Sequence, residues 1–263
     1  MYGFSFERAS SAAEAATKMA SGGQALAGGQ TLLASMKQRL ASPEALVDLS
    51  AIAELKGVCK EGNALVIGAM TRHQDVANHP EVKKLIPALS VLAGGIGDKQ
   101  VRAMGTLGGS LANNDPSACY PSAVLALNAT IKTNRREISA DEFFQGLFTT
   151  ALEPGELILS VRFPVPKAAG YGKFRQSASR FALIGVFVAK TDSGVRVAIT
   201  GAGNGVFRHS GLEAALSKDF SSAAVDGVVV DAAEMNSDLH ASSQYRAQLV
   251  KVETKRALQQ ALG

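Results

Sequence analysis

Two pairs of adjacent glycines, Gly28-Gly29 and Gly108-Gly109, stand eighty positions apart and constrain this chain more than any other feature. The first pair follows an apolar run ending in Leu26 and Ala27. It leads through Gln30 and Thr31 into a helical pattern with Leu32, Met36 and Leu40 on one face. The second lies inside Gln100 to Pro121, where Gly105, Thr106, Ser110, Asn113, Asn114 and Asp115 set small polar side chains along a permissive backbone. Such stretches let a ligand approach main-chain N–H groups, and an anion such as a pyrophosphate suits them. Strand, glycine turn and helix in succession add the unpaired N–H groups and positive dipole end of a helix start. Neither pair matches the spaced G-x-G-x-x-G pattern or the P-loop. Either one alone serves equally well as a tight turn.

The remaining pattern divides the chain into three parts. Over residues 1–57, Ser10 or Ser11 caps a helix with Ala12, Ala16, Met19 and Ala20 on one face, Gly22-Gly23 ends it, and Ala45 to Ser50 supplies a second strand, giving a βαβ unit. Over residues 58–166, a weakly alternating strand at NALVIGAM precedes helix in two pieces broken by Pro80 and Pro87. Asp115 and Pro116 read as N-cap and first residue of a helix through Leu127, a hairpin turns near Asn134, and Ser139 with Glu142 forms a capping box. Leu157, Leu159, Val161 and Phe163 fall on one side of a strand ended by Pro164. Over residues 167–263, FALIGVFVAK and VRVAIT form a hairpin around Asp192, Ser193 and Gly194, and a closing helix from Ser242 carries Tyr245, Leu249 and Val252 on one face.

Composition narrows the function classes. With 46% hydrophobic and 19% charged residues in 263, the chain reads as an ordinary globular protein. Its net charge of +4 is spread out, with only Lys83-Lys84 and Arg135-Arg136 paired, so no nucleic-acid stripe is expected. No apolar run approaches the ~20 residues of a membrane span, and the first residues lack the pattern of a secretory signal. Cys59 and Cys119 are too few to ligate an iron–sulfur cluster, and His73, His79, His209 and His240 show no metal-ligand spacing. A cytoplasmic location is the expectation.

Taken together, AGGQTLL at Ala27 to Leu33 and QVRAMGTLGGSLANNDPSACYP at Gln100 to Pro121 resemble the AGG[HQ][ST] and T[IL]GG loops of the FAD-binding medium subunit of the molybdenum hydroxylases. That family contains aerobic carbon monoxide dehydrogenase and the xanthine dehydrogenases. The resemblance continues through GELILSVRFP, GYGKFRQ and HASSQYRAQLVKVETKRAL. It implies an α+β chain with a PCMH-type FAD-binding fold: a small βαβ domain (1–57), a larger mixed domain (58–166) and a C-terminal domain of antiparallel sheet and helices (167–263). It also implies non-covalent FAD, a large partner with the molybdenum cofactor, a small partner with [2Fe-2S] clusters, and assembly as a dimer of heterotrimers. No catalytic side chain and no metal ligand of this chain's own are implied.

Residue by residue, the resemblance places Ala27, Gly28, Gly29, Gln30 and Thr31 on the pyrophosphate and Leu32 beside the adenosine. Thr106, Gly108, Gly109 and Ser110 form the opposite side of that clamp. Asn113, Asp115 and Cys119 approach the ribityl chain and ring edge, Ile96 and Ile158 give apolar contact, and Lys173 sits near the isoalloxazine. Many family members carry Asp where this chain has Cys119 and Arg180, which removes a hydrogen-bond acceptor at the first position. Two other readings stay open at this stage, a stand-alone flavin reductase using a nicotinamide cofactor and a non-catalytic nucleotide-binding module.

Overall fold

A computed structural model describes residues 1–263. Near the N-terminus the Ser11 side chain accepts a bond from the Glu14 N–H and opens the helix Ala12–Ala20. Its buried residues are Ala12 and Ala15, whereas Ala20, expected on the inner face, is exposed. The strands Ser5–Arg8, Ala45–Asp48 and Gln24–Leu26 lie side by side in that order, all parallel. The first of these gives no sequence signal, because all four of its residues are exposed and no alternation survives. The helix after the first glycine pair covers only Leu32–Lys37. Arg39 turns left-handed at φ 61°, so Leu40 leaves the expected face and stands 78% exposed.

The middle of the chain forms an antiparallel five-stranded sheet in the order Val58–Glu61, Ala64–Gly68, Ile158–Pro164, Thr130–Thr133, Glu137–Ser139. Pro80 and Pro87 each open a helix, giving three short helices, His73–Asn78, Pro80–Leu85 and Pro87–Gly94, instead of two. The Asp115-Pro116 signal does not start a helix. Asp115 Oδ1 accepts from the Ser117 N–H at 2.8 Å in a local turn, and the helix begins at Tyr120 with Pro121 in its first turn. The same side chain that caps helices also closes turns of this kind, and here the turn wins. Ser139 makes no capping bond to the backbone; its hydroxyl lies 2.7 Å from Glu142 Oε2.

A bulge between Ile158 and Ser160 breaks the expected alternation of the last strand in this sheet. Leu157 faces the N-terminal core, while Ile158, Val161 and Phe163 enter the main one. The final part pairs Ala168–Arg175, Ala182–Thr191, Gly194–Thr200 and Phe207–Arg208 in an antiparallel sheet. The helix Ser243–Leu262 lies on it so closely that a Cβ on Gly172 would come within 3.1 Å of Glu253 Cα, and one on Gly170 within 3.0 Å of Ala261 N. That contact turns the buried face to Leu249, Val250, Glu253, Ala257 and Leu258, leaving Tyr245 exposed and Val252 only partly covered. No helix is long and apolar enough to cross a membrane.

Candidate flavin site

Around the first glycine pair the chain turns left-handed at Gly29 (φ 71°) before the short helix starts. None of the backbone N–H groups of Gly28, Gly29, Gln30, Thr31 and Leu32 donates to another group of the protein. Thr31 precedes the helix without a side-chain cap, so its hydroxyl does not occupy them either. Five successive donors are thus free, and runs of free backbone N–H groups of this kind can bind anions. The helix that follows has only six residues, so a long helix dipole is absent here.

The second pair sits at the start of the helix Leu107–Asn113. Thr106, itself buried, accepts the Gly109 N–H on Oγ1 at 3.2 Å and so holds the first turn open. The sequence treats Gly108 and Gly109 alike; the structure separates them. Gly108 is buried, its N–H donates to Ala69 O at 2.8 Å, and a Cβ there would lie 2.6 Å from Ala69 Cβ. It packs tightly against the Ala69 backbone. Gly109 is partly exposed beside Ala27, and the Ser110 hydroxyl makes no bond within the chain.

The two loops meet. A Cβ on Gly28 would run into Met104 O and stand 2.7 Å from Gly105 Cα, while one on Gly109 would stand 3.4 Å from Ala27 Cβ. The second loop is itself strapped to the segment Ala69–His73: the His73 N–H donates to Gly105 O at 2.9 Å and the Leu107 N–H to Thr71 O at 3.1 Å. Arg72 and Thr106 form an isolated antiparallel bridge between these bonds.

Four residues further along the helix, roughly 6 Å by the rise of an α-helix, Asn113 leads into a second cluster. Asn113 and Asp115 are partly exposed there. Asn114 between them is buried in the left-handed region at φ 42°, and its Nδ2 donates to Gly146 O at 2.9 Å and Thr149 O at 2.7 Å. Lys173 Nζ donates to Gly95 O at 2.9 Å and Cys119 Sγ at 3.2 Å. Ile96 follows Gly95, and Arg102 Nη1 donates to its carbonyl at 3.0 Å. Cys119 is 5% exposed, and neither its N–H nor that of Tyr120 finds an acceptor in the protein. Burial, then the nearby Cys119, raises the Tyr171 hydroxyl well above the ordinary tyrosine range.

Ile158 is 3% exposed within the main core, which also contains Cys119; the bulge that redirects its strand is invisible in the sequence. Arg180 occupies an exposed turn, left-handed at φ 62°, where its N–H donates to Gln176 O. Asn114, His73 and Tyr120 adjoin the candidate residues in the structure. Asn114 lay between two chosen residues, but His73 and Tyr120 become neighbours of the glycine loops only through the tertiary fold. Two cavities of about 300 Å³, one beside Phe144 and Phe207 and one beside Lys56 and His79, contain no residue of either loop.

A family model described as the FAD binding domain in molybdopterin dehydrogenase matches residues 2–166. The chain belongs to this family. As an FAD-binding medium subunit of the molybdenum hydroxylases, it is 34% identical to the carbon monoxide dehydrogenase medium chain of Hydrogenophaga pseudoflava over 92% of its own length and 90% of the relative's. It is 35% identical to the glyceraldehyde dehydrogenase medium chain of Sulfolobus acidocaldarius, covering 98% of both. Its fold superposes on a chain of the crystal structure of cyanide-inactivated Cu,Mo-CO dehydrogenase with a TM-score of 0.92 at 31% identity, covering 99% and 98% of the two chains. The subunit's own residues fit a flavin dinucleotide: free N–H donors at one loop, unpaired buried amides at Cys119 and Tyr120, and a lysine between them and Gly95. These groups position and polarise a cofactor, and the subunit is accordingly part of an oxidoreductase.

Proposed function

We propose that this subunit holds FAD non-covalently along the edge where its two glycine loops meet, receives electrons from a small partner's [2Fe-2S] clusters, and delivers them to an external acceptor. Bound there, FAD supplies a carrier that takes up electrons singly and releases them as a pair. The backbone donors of Gly28 to Leu32 hold the diphosphate, with Ala27, Gly109 and Ser110 closing over it from the second loop. Asn113, Asp115 and Cys119 border the ribityl chain and ring edge, with Ile96 beside them. Lys173, whose ammonium group bonds to Gly95 O and Cys119 Sγ and to no carboxylate, places a positive charge where reduced flavin carries a negative one. Three domains with boundaries at residues 57 and 166 share this work, each carrying one of the three larger sheets.

Hydroxylation belongs to a large partner with the molybdenum cofactor, in a dimer of heterotrimers in the cytoplasm. Substrate choice lies in that partner: medium chains named for carbon monoxide, glyceraldehyde and nicotine enzymes are 34%, 35% and 33% identical to this one, so similarity here does not follow substrate.

The observation that carries the proposal is the contact between Gly28 and Met104–Gly105, which sets the first of five successive free N–H donors against the second loop. The test is co-purification from native extract followed by absorption spectroscopy and activity assays. Bound flavin, two co-purifying subunits and no hydroxylation by this chain alone are expected. A chain that turns over NADH by itself would be a flavin reductase, and one that binds nucleotide but no flavin a nucleotide module; either result overturns the proposal.

A further inference from the structure

We infer that His73 is a positioning residue that sets the separation of the two glycine loops and ties it to the ring end of the site, an inference that rests on the FAD-holding role proposed above. Its imidazole is 5% exposed and lies directly under Gly105: a Cβ on that glycine would stand 2.5 Å from His73 Nε2. Gly105 also meets Gly28, whose Cβ would stand 2.7 Å from the Gly105 Cα. The imidazole therefore backs the one peptide against which the first loop rests. On its other flank the ring packs on Tyr120, with centroids 5.3 Å apart and planes tilted by 50°. Tyr120 opens the helix that follows Cys119, whose thiol receives the Lys173 ammonium. One continuous stack, Gly28, Gly105, His73, Tyr120, joins the diphosphate end to the flavin end.

Two polar atoms in this stack, His73 Nδ1 and the Tyr120 hydroxyl, are buried without a partner in the protein. Pure packing would favour apolar residues at both positions, since an unsatisfied buried polar group costs stability. The ring is also uncharged at ordinary pH, its pKa lowered to about 4 by burial and then by the charge of Arg102, so it acts through shape and reach. The main-chain bond from His73 N–H to Gly105 O persists in any variant, which isolates the side chain's role.

The test compares the intact chain with His73→Ala, His73→Gln, whose amide reaches about as far as Nε2, and Gly28→Ala. FAD affinity is read by fluorescence titration, bound-flavin geometry by visible circular dichroism, and fold stability by melting without FAD. His73→Ala is expected to bind FAD about tenfold more weakly with an altered flavin dichroism band, and His73→Gln to recover most of the affinity. If His73→Ala binds FAD within about twofold of the parent with an unchanged band, or if His73→Gln is no better than a folded His73→Ala, the inference falls. Should His73→Ala fail to fold, His73→Gln decides: near-parental affinity supports the inference and a tenfold loss with a parental melting temperature overturns it. Gly28→Ala separates the two levels, because retained affinity there sinks the FAD-site reading itself, while weakened affinity there with an unaffected His73→Ala sinks only the role of His73.

Discussion

Replacing Gly28 by alanine tests the meeting of the two loops at its narrowest point. The added methyl would stand 2.7 Å from Gly105 Cα and 2.8 Å from Met104 C, and it would run into the Met104 carbonyl oxygen. Carbon atoms prefer separations of about 3.5–4.0 Å, so the loops must part by about 1 Å. The obstacles are backbone atoms, which cannot swing aside as a side chain would. Overpacking of this size costs about 1–3 kcal/mol, a fall of a few degrees in melting temperature for a chain of this length. The larger effect is on the ligand. Each hydrogen bond to a charged group contributes about 1.5–3 kcal/mol, so losing even one donor from the Gly28 to Leu32 cluster weakens FAD about ten- to hundredfold. Fluorescence titration with FAD and melting in its absence separate the two effects, with Gly227→Ala as the control because nothing lies within 4 Å of that glycine's missing Cβ. FAD affinity within about twofold of the parent in a Gly28→Ala chain would refute the claim that loop contact shapes the site.

Three further outcomes follow from side chains around the site and beneath it. His73 has a folded pKa of about 4 against an ordinary 6.5, so the unfolded chain binds the extra proton first; its contribution is complete above pH 6.5 and is lost as pH falls toward 4. Urea melts should show the parent losing stability faster than His73→Gln as pH falls from 6.5 toward 4, with matching slopes above pH 6.5; parallel slopes throughout would contradict the assignment. Burial pushes the Glu156 carboxyl up, but bonds from Arg136, the Glu153 N–H and Thr133 outweigh it and hold the pKa at about 2. Glu156→Ala removes one acceptor from the half-exposed Arg136, which keeps Glu153 and Ala151 O, and from the Thr133 hydroxyl, which keeps Arg136 O, and should lower the denaturation midpoint measurably; an unchanged midpoint is the contrary result. Ile158→Ala should destabilise the fold by about 2–5 kcal/mol through the cavity it leaves, with FAD affinity of the folded fraction unchanged; a selective loss of FAD would return Ile158 to the wall of the site.

Local chemistry made part of this protein legible from its residues alone. The glycine pairs, the Ser11 cap and the Asp192 to Gly194 hairpin each depend on a few neighbouring residues whose conformational preferences are intrinsic, and the structure has them where the pattern puts them. The motif spacing also sufficed to suggest the family. Where the pattern misled, the deciding force came from a distant part of the chain. Gly108 and Gly109 look identical in sequence, yet Ala69 packs against one and Ala27 lies beside the other. The closing helix shows a plausible face through Tyr245, but two glycines on a strand some eighty residues earlier admit its backbone at another rotation. His73 carries no local sign of a role, because its place under Gly105 exists only once the segment Ala69–His73 has paired with the second loop. Periodicity and turn propensity report what a segment can do by itself; which of two equivalent faces or glycines is used is fixed by close packing between segments, and close packing is a property of the assembled fold.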